Sequence, residues 1–165
     1  MSPNRMAIKI DPTKAAVQPG GTPTPPADIE RINVGDTAQR EWTVTAALVD
    51  AFADFSSDDN PLHMSDAFAR ELGFPSRVAH GMVALSSLSR LIGTELPGPG
   101  SLWISQEVHF AAPVLIGNTI LSRVTVQSVS KSARVVVLHT EAICQETGML
   151  VLRGTAKIRI PEQTA

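Results

Sequence analysis

The chain has 165 residues, 43 % of them hydrophobic, which is enough for one domain with its own core and too few for two. With 14 basic against 16 acidic side chains, and only two Trp and five Phe, it offers neither the positive field nor the stacking surface that nucleic acid requires. The lone cysteine, Cys144, excludes an internal disulfide and fits a reducing compartment, so the cytoplasm is the expected location. The start "MSPNRMAIKI" lacks a signal-peptide core, and no stretch reaches the roughly 18 apolar residues of a membrane span, so no membrane partner is expected.

Residues 1 to 28 hold six of the twelve prolines and no aromatic side chain, the composition of a disordered N-terminal arm. A single domain over residues 29 to 165 is expected to follow. In "REWTV", Trp42 and Val44 alternate with Glu41 and Thr43 as in a short strand, and Thr45 suits a helix N-cap. The spacing of Leu48, Ala51, Phe52 and Phe55 predicts a helix that buries this stripe. Phe68 and Leu72 mark a second, short helix closed by Gly73 and kept closed by Pro75.

Between Val78 and Thr94 the only full charge is Arg90, so a helix there is apolar nearly all round and is expected to be buried. Four strands follow. "LWISQEVHF" alternates with Leu102, Ile104, Gln106, Val108 and Phe110 on one face, and "LVLRGTAKIRI" turns Leu150, Leu152, Ala156, Ile158 and Ile160 inward. Two more strands, near 119 to 129 and 134 to 145, are joined by short connections that favour antiparallel pairing. The expected fold is α+β: a long antiparallel sheet wrapped around one buried helix.

The chemistry concentrates in "DDNPLH", residues 58 to 63. The Asn60-Pro61 step fixes an extended or turn backbone, so Asp58 and His63 sit on two arms of a bend that can aim both at one point. Imidazole is suited to take a proton near neutral pH, and a carboxylate beside it can orient it or hold a water. Both residues can equally serve as loop hydrogen-bond partners. In "AHGM", Gly81 stands where the apolar helix should start, where unpaired N–H groups stabilise a developing oxyanion. Tight packing or a positive φ would also explain Gly81, with His80 donating a structural hydrogen bond. The four His at 63, 80, 109 and 139 lack the paired spacing of a zinc site, so no metal is expected. His109 and His139 read as structural, Cys144 as a small core residue, and "PGPG" at 97 to 100 as a turn, since it lacks the pattern of a phosphate loop.

"DDNPLH", then "VAHGM", then "LPGPGSLWISQEVHFAAPVLIGNTI" closely resemble the MaoC-like dehydratase family, in particular its (R)-specific enoyl-CoA hydratases, over about Thr43 to Pro161. The resemblance implies a hot dog fold, an acyl-CoA thioester substrate, no cofactor and a homodimer with its active site near the subunit interface. By position, the family's D-x-N-P-x-H motif falls on Asp58, Asn60, Pro61 and His63, making Asp58 and His63 the catalytic pair. Gly81 matches the glycine whose amide holds the thioester carbonyl. Asn60 and Ser89 match supporting positions, Ser89 near the catalytic carboxylate. Trp103 replaces an aromatic that is often Tyr, and the N-terminal arm exceeds that of the minimal members. The implied reaction is reversible hydration of trans-2-enoyl-CoA to (R)-3-hydroxyacyl-CoA. A thioesterase on the same fold and a non-catalytic acyl-thioester-binding subunit are the rivals. Arg123, Lys131, Arg134 and Arg153 are candidates for phosphate contacts.

Overall fold

The computed structural model describes residues 25–162. The disordered arm expected over residues 1 to 28 thus falls mostly outside the described residues, although its end is packed. Ala27 is buried, and its N–H donates to the carbonyl of Pro99 at 2.8 Å.

A strand, β1 (Thr37–Thr43), leads into helix α1 (Ala46–Ser56), which begins because the Thr45 side chain accepts the N–H of Leu48 and ends where Ser57 turns left-handed. Two short helices follow, α2 (Pro61–Met64) and α3 (Asp66–Glu71), the latter capped by the Ser65 side chain on the N–H of Phe68. Gly73, at φ +87°, closes the exit of α3 as expected. Then come helix α4 (Gly81–Thr94) and strands β2 (Leu102–Phe110), β3 (Thr119–Ser130), β4 (Val135–Cys144) and β5 (Leu150–Arg159).

The five strands form one sheet in the order β1-β3-β4-β5-β2, every neighbouring pair antiparallel. Along β4 burial alternates without a break, so Val136, Leu138, Thr140, Ala142 and Cys144 all face the core. Leu88, Leu91 and Ile92 of α4 join Ile120, Val124, Leu152, Ala156 and Ile158 of the sheet in the same core. This is the sheet around a central helix that the hot dog expectation describes.

Three expectations need correction. In α1 the buried residues are Val49 and Ala53, while Leu48 and Phe55 are exposed. Two adjacent stripes compete on this helix, and the one with the shorter side chains allows the closer approach. In β2 the register shifts between Trp103 and Ser105, so Trp103, Gln106, Val108 and Phe110 share a face with Ile158, Ala156, Gly154 and Leu152. The extra residue moves Leu102 and Ile104 off that face, and both are about half exposed. Helix α4 buries Val83, Ala84, Leu88, Leu91 and Ile92 but leaves Met82, Ser86, Ser89 and Arg90 exposed. The chain itself therefore covers one face of a helix whose sequence asks for more. No helix among the described residues is long and apolar enough to cross a membrane.

At the β4–β5 turn, Glu146 accepts the Thr119 N–H at 2.9 Å and the thiol of Cys144 at 3.2 Å. Its own main-chain N–H, then that of Thr119, hold its carboxyl at about 2, against an ordinary 4.5. A lowered folded-state pKa means the ionised group stabilises the fold above pH 4.5, and the contribution drains away as pH falls from 4.5 towards 2. Glu146→Gln is therefore expected to lower the thermal midpoint at pH 7, with a gap to wild type that narrows steadily in scans between pH 4.5 and pH 2.

Candidate active site

Asn60 shapes the bend. Its side chain accepts the N–H of Leu62 at 3.0 Å, its carbonyl accepts that of His63 at 2.9 Å, and Pro61 occupies the first helical position, where a missing N–H costs nothing. Asp58 lies on the approach, with a half-exposed carboxylate that accepts the Asn60 N–H at 3.4 Å. His63 lies in the single turn beyond.

The far wall is the extended segment of residues 77 to 80. The N–H of Val78 donates to Leu62 O at 3.2 Å and that of Ala79 to Val114 O at 2.7 Å, so the segment is stitched between α2 and the loop before β3. Arg77 anchors it, with its N–H on Asp66 and its guanidinium on Asp50 at 2.7 Å. The carbonyl of Val78 meets His63 Nδ1 at 2.7 Å. A carbonyl only accepts, so Nδ1 carries the proton and Nε2 of the neutral ring is left as a base.

His80, the N-cap residue of α4, turns back towards the bend. Its Nε2 lies 3.0 Å from the Asp58 carbonyl and 3.9 Å from the Asp58 carboxylate, so the hydrogen bond is to the main chain. Its ring stacks on His63 with centroids 3.9 Å apart, and Phe52 covers it at 4.8 Å. Donor atoms of Asp58, His63 and His80 all lie within 4.8 Å of one another. A carboxylate and an imidazole so placed can share one water.

Beside this cluster opens a cavity of about 510 Å³, walled by His63, Gly81, Met82, Phe110, Val114 and Val151 among others. Gly81 is the first residue of α4, so its N–H is one of those the helix cannot satisfy internally. Its φ is not left-handed. A Cβ there would stand 3.0 Å from the Phe110 ring, so the glycine keeps that wall open.

A MaoC like domain model matches residues 31–146. The chain belongs to the MaoC-like family. It is 35 % identical over 132 residues to an (R)-specific enoyl-CoA hydratase of Rhodospirillum rubrum, covering 80 % of this chain and 90 % of that protein. A 3-hydroxybutyryl-CoA dehydratase of Methylorubrum extorquens is 34 % identical, covering 81 % of this chain and 84 % of the relative. Among solved structures, the (R)-hydratase of Aeromonas caviae superposes with a TM-score of 0.77 at 35 % identity, over 80 % of this chain and 99 % of the other. An (R)-hydratase from Pseudomonas aeruginosa gives 0.78 at 30 % identity, over 84 % and 88 %. These neighbours carry the hot dog fold that the sheet and α4 display.

Of the positions picked from the sequence of this MaoC-like chain, the fold brings Asp58, Asn60, His63 and Gly81 to one end of α4. It does not bring Ser89 there. Ser89 is exposed, eight residues along α4 from Gly81, about 12 Å at the helical rise. Three of the four phosphate candidates are engaged within the chain: Arg123 with Gln39 and Glu141, Lys131 with Glu30, and Arg134 with the carbonyls of Ile160 and Pro161. Arg153 is exposed on β5. His80 is the residue that sequence reasoning placed only as a structural donor. The carboxylate and two imidazoles are a donor set that divalent transition metals accept. Here the rings face each other instead of converging, and each has a nitrogen committed to a carbonyl.

Because Asn60 acts as a cap, Asn60→Ala should cost about 1 kcal/mol of stability in urea unfolding, whereas Asn60→Asp, which can still accept from Leu62, should stay within a few tenths.

Proposed function

We propose that this chain catalyses the reversible hydration of trans-2-enoyl-CoA to (R)-3-hydroxyacyl-CoA, with Asp58 and His63 as the acid–base pair and the Gly81 N–H as oxyanion donor. As a hydro-lyase the protein follows its curated relatives, named (R)-specific enoyl-CoA hydratase and 3-hydroxybutyryl-CoA dehydratase. The observation that carries the assignment of roles is the pairing of a carboxylate with an Nε2-basic imidazole beside a cavity whose wall includes the start of α4.

In this reading Asp58 and His63 hold one water. His63 Nε2 takes a proton as the water oxygen forms its bond to the β-carbon. The displaced π electrons move onto the thioester oxygen, where the Gly81 N–H meets the growing charge. When that enolate collapses, the α-carbon takes a proton, and the net change is addition of one water across the double bond. Elimination runs the same steps backwards. Positioned proton transfer of this kind contributes about 10² to 10⁴ in rate. The chemistry uses no cofactor.

We also propose a homodimer built on β2. This edge strand has no partner on its outer side among the described residues, and it exposes Leu102 and Ile104, whereas the opposite edge, β1, carries Gln39, Arg40 and Glu41. A second copy paired there would put a wall near the exposed side of α4 that carries Met82, Ser86 and Ser89. We place the protein in the cytoplasm on the strength of its single, buried, free cysteine.

Loss of enoyl absorbance on mixing with short and medium trans-2-enoyl-CoAs, with the product trapped by an enantiomer-specific 3-hydroxyacyl-CoA dehydrogenase, tests the activity. Rapid (R)-product formation is expected, reduced by about 10³ in Asp58→Asn and His63→Ala. Release of free CoA without hydration would replace the reading with a thioesterase, and binding without turnover with an acyl-thioester-binding subunit. For the dimer, sedimentation should give twice the chain mass, falling to one chain mass in Ile104→Lys. A wild type that sediments as a monomer overturns it.

A further inference from the structure

We propose that His80 is a positioning residue that locks the acid–base pair, holding the main chain of Asp58 with its Nε2–H and the ring of His63 with its face. The inference rests on the hydratase reading of the site.

His80 is 3 % exposed, and its two functional contacts run to different arms of the bend. On one side, Nε2 donates to Asp58 O at 3.0 Å. Among the described residues, the Asp58 carboxylate itself has a 3.4 Å contact to the Asn60 N–H two residues on and lies 3.9 Å from His80 Nε2. Without the His80 donor, nothing distant in sequence would tie the carboxylate-bearing residue to the α4 side of the site among the described hydrogen bonds. On the other side, the His80 ring lies against His63 at 3.9 Å with a 34° tilt. The Nδ1 bond to Val78 O leaves His63 free to pivot about that contact, and a flat ring pressed on its face removes the freedom.

The chemistry of the residue fits this pair of tasks. The donor to a carbonyl must be Nε2–H, so the neutral ring presents Nδ1 as an acceptor, and Nδ1 is buried with no hydrogen-bond partner among the described residues. An unpartnered buried acceptor is unfavourable, and a phenyl ring would pack against Phe52 and His63 without it. What phenyl lacks is the donor to Asp58. A glutamine would keep a donor but lose the aromatic face. Imidazole supplies both from one side chain, and its own main chain, at φ −58° and ψ 137°, sets the first turn of α4 where the Gly81 N–H emerges. One residue thereby links the carboxylate, the base and the oxyanion donor.

The test compares His80→Phe, His80→Gln and His80→Ala with wild type in steady-state hydration of a trans-2-enoyl-CoA and in long-range ¹H–¹⁵N spectra of the imidazoles. Wild type is expected to show His63 as the Nδ1–H and His80 as the Nε2–H tautomer. His80→Ala should lower kcat by about 10² with KM within about threefold, as loss of alignment does. His80→Phe and His80→Gln should each recover part of that loss, and the His63 resonances should broaden or change tautomer in His80→Ala while amide signals of the sheet stay in place. Full kcat per folded molecule in His80→Ala, or a drop explained by a lower folded fraction with His63 unmoved, overturns the proposal. A wild type that hydrates no enoyl thioester would sink the hydratase reading alone, because the His63 spectra still report whether His80 holds that ring.

Discussion

Two main-chain carbonyls organise this site. Val78 O accepts from His63 and Asp58 O accepts from His80, at 2.7 and 3.0 Å, and these bonds tie the bend at Asn60-Pro61 to the segment that leads into α4. Backbone carbonyls are fixed by secondary structure and only accept, so they set the tautomer of each neutral ring. The Nε2 of His63 that is left unprotonated in the neutral ring follows from which nitrogen those carbonyls have claimed.

The carbonyls are in place because the segment of residues 77 to 80 is held from both sides, by Leu62 O and by Val114 O, with Arg77 pinned between Asp50 and Asp66. That segment ends at Gly81, where α4 begins, and α4 is anchored by Leu88, Leu91 and Ile92 against the sheet. The sheet core therefore determines where the Gly81 N–H points. A cavity opens at this end of α4 because Gly81 lacks a side chain and Ala111 and Ala112 line the space with small ones.

Much of this was legible in residue pattern. β4 alternates over its whole length and could not be misread, Thr45 caps α1 as its hydroxyl suggests, and Gly73 stops α3 with a positive φ. The failures have a common physical origin in choices made by tertiary packing. Two helical stripes were equally regular in α1, and packing beside α2 and α4 selected Val49 and Ala53. A one-residue bulge in β2 leaves no mark in composition, yet it reverses which face Leu102 and Ile104 occupy. In the site, the spacing of Asp58 and His63 around a helix breaker pointed to a shared focus. His80 carried no such signal, since its partners, a carbonyl and a ring 17 residues away in "HMSDAFARELGFPSRVAH", emerge only when α2 and the segment before α4 are stitched together.

The placement of charge at this end of α4 follows from the same stitching. Asp58 keeps its carboxylate half exposed, within reach of solvent. The buried position beside it goes to His80, which fills it as a ring with a single donated proton and no formal charge in that tautomer. Burying the carboxylate and exposing the imidazole would cost more free energy and leave the Asp58 carbonyl without its donor. The order of residues along the bend, carboxylate outside and imidazole inside, is thus the arrangement in which a solvent-facing carboxylate and a fixed main chain coexist a few ångströms apart.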